Sequence, residues 1–474
     1  MITDLKPYAD CKDSGLPWLG QVPAHWEMRP AFGAFMPNRE RNLGMKEKTV
    51  LSLSYGRIII KPLEKLHGLV PESFETYQIV NPGYIVIRTT DLQNDHTSLR
   101  IGMVRDRGII TSAYLALRLQ AGVNPEFGFQ FLNVWDTSKA IYGYGSGLRQ
   151  SLGFSDFKRM PVAIPPFAEQ AAIVRFLGWA NGRLERTIRA KKKVIALLTE
   201  QKQVIIHRAV TCGLDPHVRL IPSGIPWLGD IPQHWYALQV RRAASFVTSG
   251  SRGWANYYSD AGLIFLQSGN LGRAMSLNLS YIQYVRPPGG AEGIRTRVQT
   301  NDVLVCITGA LTGNVALVDQ ELAAPAFVSQ HVALIRPKQD MIQPRFLAYV
   351  LHSEVGRRQF KTNEYGGTKQ GLGLADVKNV FLLVPPLKEQ QIICTHLDEE
   401  VEKFKISISH LEREIELLRE YRTRLVADVV TGKLDVREAA AQLPVETESG
   451  SADDAEDMDD DTDESESTDE ELAI

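Results

Sequence analysis

The chain is written twice, and that repetition constrains its fold more than any other feature. Ser14 to Trp26 read SGLPWLGQVPAHW and Ser223 to Trp235 read SGIPWLGDIPQHW, nine of thirteen positions being identical at an offset of 209. A second repeat begins at Leu152 (LGFSDFKRMPVAIPPFAEQ) and again at Leu372 (LGLADVKNVFLLVPPLKEQ). At an offset of 220 it runs without a gap to Thr211–Asp215 and Thr431–Asp435. Between the repeats lie two stretches of about 125 to 135 residues that match each other only weakly. The order is short motif, variable domain, conserved segment, and then the same again.

The conserved segments read as long helices. Each follows a Pro-Pro pair (Pro165-Pro166, Pro385-Pro386) and carries Glu169 or Glu389 in its first turn, where a carboxylate suits the helix dipole. Leu177, Leu184, Leu198 and Ile205 recur at heptad spacing in the first, with Val174, Ile188 and Ile195 on the adjoining seam. Leu397, Phe404, Leu411, Leu418 and Leu425 do so in the second, with Val401, Ile408 and Ile415. Both stripes keep the same register under the shift of 220, so the spacing predicts that the two helices pair as a coiled coil. With the variable domains at opposite ends of the chain order, the natural pairing is antiparallel about a pseudo-two-fold axis. A helix of about 40 residues is roughly 60 Å long and serves as a ruler. Asn181 and Lys191 interrupt the first stripe, and Arg189 to Lys193 put positive charge near its centre. That run reads either as a solvated helix face or as a surface turned to the phosphates between two half-sites.

The variable domains have an α/β pattern. Short apolar runs such as Tyr84–Ile87, Asp302–Ile307 and Val332–Ile335 predict strands, and Glu126 to Trp135 and Pro344 to Phe360 predict helices. Asn81–Arg88 echoes Asn301–Ile307, and Ile109–Leu117 echoes Phe327–Leu334, at an offset near 218. One fold carrying different surface residues is the expectation. The domain bounds predicted are 1–164, a long helix over 165–212, 213–384, a long helix over 385–435, and a tail over 436–474.

Charge points to a polyanionic partner. Fifteen Asp and Glu lie between Glu446 and Glu471 with no Lys or Arg among them, so outside that tail 53 basic residues face 41 acidic ones, about +12. Such a body gains affinity by displacing counterions from phosphates. The tail itself is expected to be disordered. Cys11, Cys212, Cys306 and Cys394 form no CxxC pair, which argues against disulfide and zinc frameworks. No window of about 18 apolar residues occurs, so a cytoplasmic protein is expected.

Loops rich in small, basic and amide residues supply the candidate base readers, because Arg, Lys, Gln and Asn can bond guanine or adenine edges. They are Arg88 to Asn94, with Arg88, and Tyr144 to Gln150, with Arg149 and Gln150, in the first domain. In the second they are Ser249 to Arg252, Gln267 to Asn270 and Tyr365 to Gln370, with Arg252, Gln267, Lys369 and Gln370. No motif marks an active site. Ile164 and Val384 stand where an amino-methyltransferase (N/D)PP(Y/F) motif needs an amine acceptor. Gly309 to Asn314 lacks the Lys and Ser or Thr of a phosphate loop. His25 and His234, with Trp18, Trp26, Trp227 and Trp235, read as anchors of each domain's first strand rather than as metal ligands.

Both repeated phrases, S-G-(L/I)-P-W-L-G-x-(V/I)-P-x-H-W and L-G-x-x-D-x-K…P-P-x-x-E-Q, resemble hallmarks of the specificity (S) subunits of Type I restriction-modification systems, over residues 1 to about 440. The resemblance implies a non-catalytic chain with two α/β target-recognition domains separated by two long antiparallel coiled-coil helices. Each domain would read one half of an asymmetric bipartite site in double-stranded DNA, the half-site centres lying roughly 34 Å apart. The implied partners are two modification (M) subunits, which bind S-adenosylmethionine and flip an adenine for N6 methylation, and restriction (R) subunits, which use ATP and Mg²⁺. No cofactor is expected on this chain. A coiled-coil adaptor that joins proteins without reading DNA is the competing reading, and it leaves the positive body and the divergent domains unexplained.

Overall fold

The structure, a computed structural model, describes residues 5–62, 73–90, 92, 99–144, 151–225, 227–250, 253–272, 274–286, 291–364 and 371–444. The chain forms two compact units, residues 1–189 with 415–474, and residues 190–414. The two long helices, Phe167–Cys212 and Leu387–Val430, each cross the boundary between units, so each unit holds opposite ends of the two helices.

Each unit is built on a four-stranded antiparallel sheet of the same order. In the first unit the strands run Phe35–Pro37, Leu115–Leu119, Ile85–Ile87, Ile101–Met103. In the second they run Ala244–Ser249, Val332–Pro337, Val303–Cys306, Val315–Leu317. Strand by strand this is the echo in the sequence, and the central apolar runs are buried on both faces. Leu220–Pro222 pairs with Asp230–Pro232 as Cys11–Asp13 pairs with Gln21–Pro23, and Tyr236–Gln239 pairs with Phe381–Val384 as Glu27–Pro30 pairs with Pro161–Ile164. The sheet module is closed at one backbone bond in both units, Ala31 N–H to Met160 O (2.8 Å) and Val240 N–H to Val380 O (2.9 Å).

A helix follows each sheet. Pro125–Thr137 starts with Pro at its first position and Asn124 capping the N–H groups of Glu126 and Phe127. The stretch 344–360, expected as one helix, is two: Pro344–His352 and Glu354–Asn363. Ser353 makes the break, since its backbone is extended and its hydroxyl caps the second helix through Val355 N–H.

The long helices pack antiparallel within each unit. In the first, Ile173, Phe176, Leu177 and Ala180 share a core with Leu425, Val426, Val429 and Val430. In the second, Ile206, Ala209 and Val210 share one with Ile393, Cys394 and Leu397. Ile188 and Ile415 are buried, while Leu184, Ile195, Leu198, Val401, Phe404, Ile408, Leu411 and Leu418 are half-buried. At the outer ends the buried positions are Ile173 and Ile206, with Val174 and Ile205 half-buried beside them. A straight helix drifts by about 20° per heptad, which rotates the stripe by a residue over this length. Lys191 sits in the seam and pairs with Glu414 at 2.5 Å.

Residues from 436 on, expected to be disordered, begin instead with a helix, Arg437–Gln442. Val436 and Ala440 are buried in the first unit's core, and Arg175 donates to Leu443 O, so this segment has apolar and polar partners that the acidic run lacks. Residues 445–474, which hold that run, lie outside the described residues. Among the described residues no helix is long and apolar enough to cross a membrane.

Candidate nucleic-acid interface

What holds each sheet module to the long helices is a latch made from the repeated motifs. In the first unit the Glu169 carboxylate accepts from Trp26 Nε1 (2.9 Å) and Tyr8 Oη (2.6 Å) and meets His25 Nε2 (2.7 Å). Burial, and then Glu169 itself, push the Tyr8 hydroxyl well above its usual range, so it stays a donor. In the second, Glu389 accepts from Trp235 Nε1 (3.2 Å) and meets His234 Nε2 (2.8 Å). The end of the other long helix closes each latch with a left-handed glycine. A Cβ on Gly432 would lie 2.2 Å from Pro23, and one on Gly213 would lie 3.2 Å from Glu389. The Gln of each E-Q pair is fully buried and ties the neighbouring helix in place: Gln170 Oε1 accepts from Asn124 N–H (2.7 Å) and Gln390 Oε1 from Gln343 N–H (2.8 Å). The repeated His, Trp, Glu and Gln thus position the modules. Among the described residues no group of His, Cys, Asp and Glu could hold a metal ion.

In the second unit described residues that flank the candidate loops, Gly250, Leu266 and Gly371 among them, meet at one end of the sheets. Gly250 N–H donates to Ser329 O (3.1 Å), Ser329 N–H to Leu266 O (2.8 Å), and Ile307 N–H to His331 O (2.9 Å). Leu372 N–H donates to Ile307 O (2.8 Å), and Thr308 bridges to Gly371. The segments around 250, 267, 308 and 371 are therefore gathered about Ser329–His331. Gln330 and His331, which meet at 3.0 Å, stand in the middle of this gathering, and sequence reading missed them. The polar Ser-Gln-His between two apolar runs was the available signal.

Gln267 is half-buried, and its carboxamide donates to Tyr258 Oη at 2.8 Å. Arg252, Lys369 and Gln370 lie outside the described residues.

The first unit repeats the arrangement. Leu152 N–H donates to Thr89 O (2.9 Å), which sets Leu152 beside the backbone that follows Arg88. Arg88 is half-buried, and Arg149 and Gln150 lie outside the described residues. Beneath the Arg88 loop lies Arg100, fully buried, whose guanidinium donates to Thr90 O (2.8 Å) and Arg88 O (3.4 Å). Its backbone N–H donates to Asp136 Oδ2 at 2.7 Å, and its guanidinium lies 5.6 Å from the Tyr142 ring centroid. A lone Arg in an otherwise unremarkable stretch gave no hint of this supporting role.

Residues 290–418 match the family model described as Type I restriction modification DNA specificity domain. The chain is 24% identical over 250 residues to the EcoBI specificity subunit of Escherichia coli, a match covering 50% of each protein. It is 19% identical over 283 residues to the MjaVIII specificity subunit of Methanocaldococcus jannaschii, covering 59% of this chain and 64% of that one. The matches thus span between half and two thirds of these relatives' length. Among solved structures, a chain from work on complex assembly and conformational transition of the type I R-M system superposes with a TM-score of 0.63 at 17% identity. That superposition covers 87% of this chain and 99% of the other, and it shows a shared fold.

Proposed function

We propose that this chain, a relative of the Type I restriction enzyme specificity subunits, reads a bipartite duplex DNA site, one half with each unit, and carries no chemistry of its own. The observation that carries this is a DNA specificity domain matched over 290–418 on a frame that the other unit repeats with the same strand order and the same latch. A frame kept twice beneath loops that differ suits two different sequences. The body of about +12 outside the acidic tail suits a phosphate backbone.

Two copies of an M subunit are the proposed partners, with R subunits added to that complex. S-adenosylmethionine would sit on the M subunits, and ATP and Mg²⁺ on the R subunits. A duplicated frame offers one surface twice. On the long helices Leu197 (55% exposed) and Leu417 (48% exposed) occupy the same place under the shift of 220, and Val194 and Val204 extend the first of these faces. Apolar side chains left in water at matched positions suit one docking helix used twice.

The test is a gel shift with the chain and its M subunit on duplex DNA across a salt series, with native mass measurement of the complex. The expected result is binding that falls with salt and a ratio of two M to one S. Salt-independent binding, or a ratio of one to one, would contradict the proposal.

A further inference from the structure

The second unit carries an insert in which one side chain is prepared for a ligand from two directions. The carboxamide of Gln267 donates to Tyr258 Oη at 2.8 Å. Tyr258 packs against Phe265, ring centroids 5.8 Å apart, and Phe265 stacks on Trp254 at 5.6 Å and 16°, both of the latter being buried. On the other side, the N–H of Gln267 donates to Oδ1 of buried Asn270 at 2.8 Å. Nδ2 of Asn270 in turn donates to Asn278 O and Tyr281 O, both at 2.9 Å. Backbone and amide are thus set before any ligand arrives, and a flexible surface glutamine would lose that freedom only on binding.

A carboxamide has two N–H donors and one acceptor oxygen. With one N–H on Tyr258, the other N–H and Oε1 remain, a donor beside an acceptor. In the major groove adenine offers the complementary pair, the N7 acceptor and the N6 donor. A Gln left to rotate could turn both donors outward, and the Tyr258 hydroxyl removes that option by holding one of them.

We infer that Gln267, with Tyr258 as its positioning residue, reads an adenine in the half-site contacted by the second unit. This rests on the function proposed above. The stacked Trp254, Phe265 and Tyr258 then support the reader and touch no base.

The experiment uses the full chain copurified with its M subunit, a pool of duplexes with randomised positions, and sequencing of the bound fraction. Wild type is expected to select a consensus containing an adenine that depends on residue 267. Gln267→Ala should lower discrimination at that one position by roughly 5- to 150-fold, leaving the other positions unchanged. Gln267→Glu should move the preference there toward cytosine, whose N4 donates to a carboxylate. Tyr258→Phe should keep the adenine preference but weaken it at that same position, with the unfolding midpoint unchanged, a pattern that loss of structure would not give. A wild-type consensus retained intact by Gln267→Ala and Gln267→Glu, or a loss spread evenly over all positions, overturns this inference alone. A wild type that selects no consensus overturns both it and the proposed function.

Discussion

In the first unit the strands Leu51–Ser54 and Arg57–Ile60 are joined by two residues, Tyr55 and Gly56. In the second, the corresponding strands Leu263–Leu266 and Gln283–Val285 are joined by residues 267–282. The correspondence follows from the parallel contact each makes with the same inner segment, Val50 with Ile109 and Phe265 with Phe327. Tyr55 and Gly56 both take positive φ (43° and 77°), the tight turn whose twist matches antiparallel strands. Where one unit spends two residues turning a hairpin, the other builds the loop that holds Gln267. Sheet order and latch stay constant while the loops change, so the repeated parts position the modules and the differences between the units lie in the unrepeated parts.

The latches differ too, and that difference is open to attack. Trp26 is fully buried, bonded to Glu169 at 2.9 Å and set edge-on to Tyr8 and Phe127. Trp235 has the longer bond of 3.2 Å and the neighbouring His234 ring. Glu169 is 5% exposed and Glu389 30%. Trp26→Ala should therefore cost about 3–5 kcal/mol and Trp235→Ala about 1 kcal/mol less, read by denaturant unfolding. Equal losses would show that the two latches are energetically alike.

Acid should also separate the units. Burial first, then Arg357 and Lys202, lower the His352 pKa to about 4, whereas the matching helix of the first unit, Pro125–Thr137, contains no histidine. A histidine whose folded pKa is depressed binds fewer protons than the unfolded chain between pH 6.5 and about 4. Its contribution is therefore intact above pH 6.5 and is lost as pH falls through that window, by up to about 3 kcal/mol. Unfolding followed against pH should show this loss, and His352→Leu should flatten the curve. An unchanged slope in that variant would remove His352 as the cause.

The smallest effect lies in the seam. Lys191 occupies the place that Leu411 holds on the second long helix, and it is 26% exposed in its pair with Glu414. An ion pair this accessible contributes little to stability, and a leucine there would bury apolar surface. Lys191→Leu should raise stability by about 1 kcal/mol in thermal unfolding. A loss of stability would mean that the Glu414 pair contributes more than such pairs ordinarily do.

Much of this was legible in the sequence because repetition reports architecture directly. The heptads of Leu397 to Leu425 and the echo of Asn81–Arg88 in Asn301–Ile307 correspond to packed helices and matched strands. What stayed hidden depends on distance along the chain. His25 and Glu169 are 144 residues apart and His234 and Glu389 155 apart, so no local spacing announces the latch. The break at Ser353 was hidden for another reason, since a serine inside an apolar run suits a helix surface as well as a cap. The support of the Arg88 loop by buried Arg100 was equally silent, because a charged residue rarely signals burial.

The central claim is that one frame, used twice, lets each unit read its own half-site. It is tested most directly by replacing residues 31–160 with a copy of 240–380, modules closed by the same backbone bond, and sequencing the adenines methylated when the chimaera is expressed with its M subunit. The account predicts a motif whose two halves are the same sequence on opposite strands, matching one half of the wild-type motif. A motif identical to the wild type, or a new sequence unrelated to either half, would contradict it.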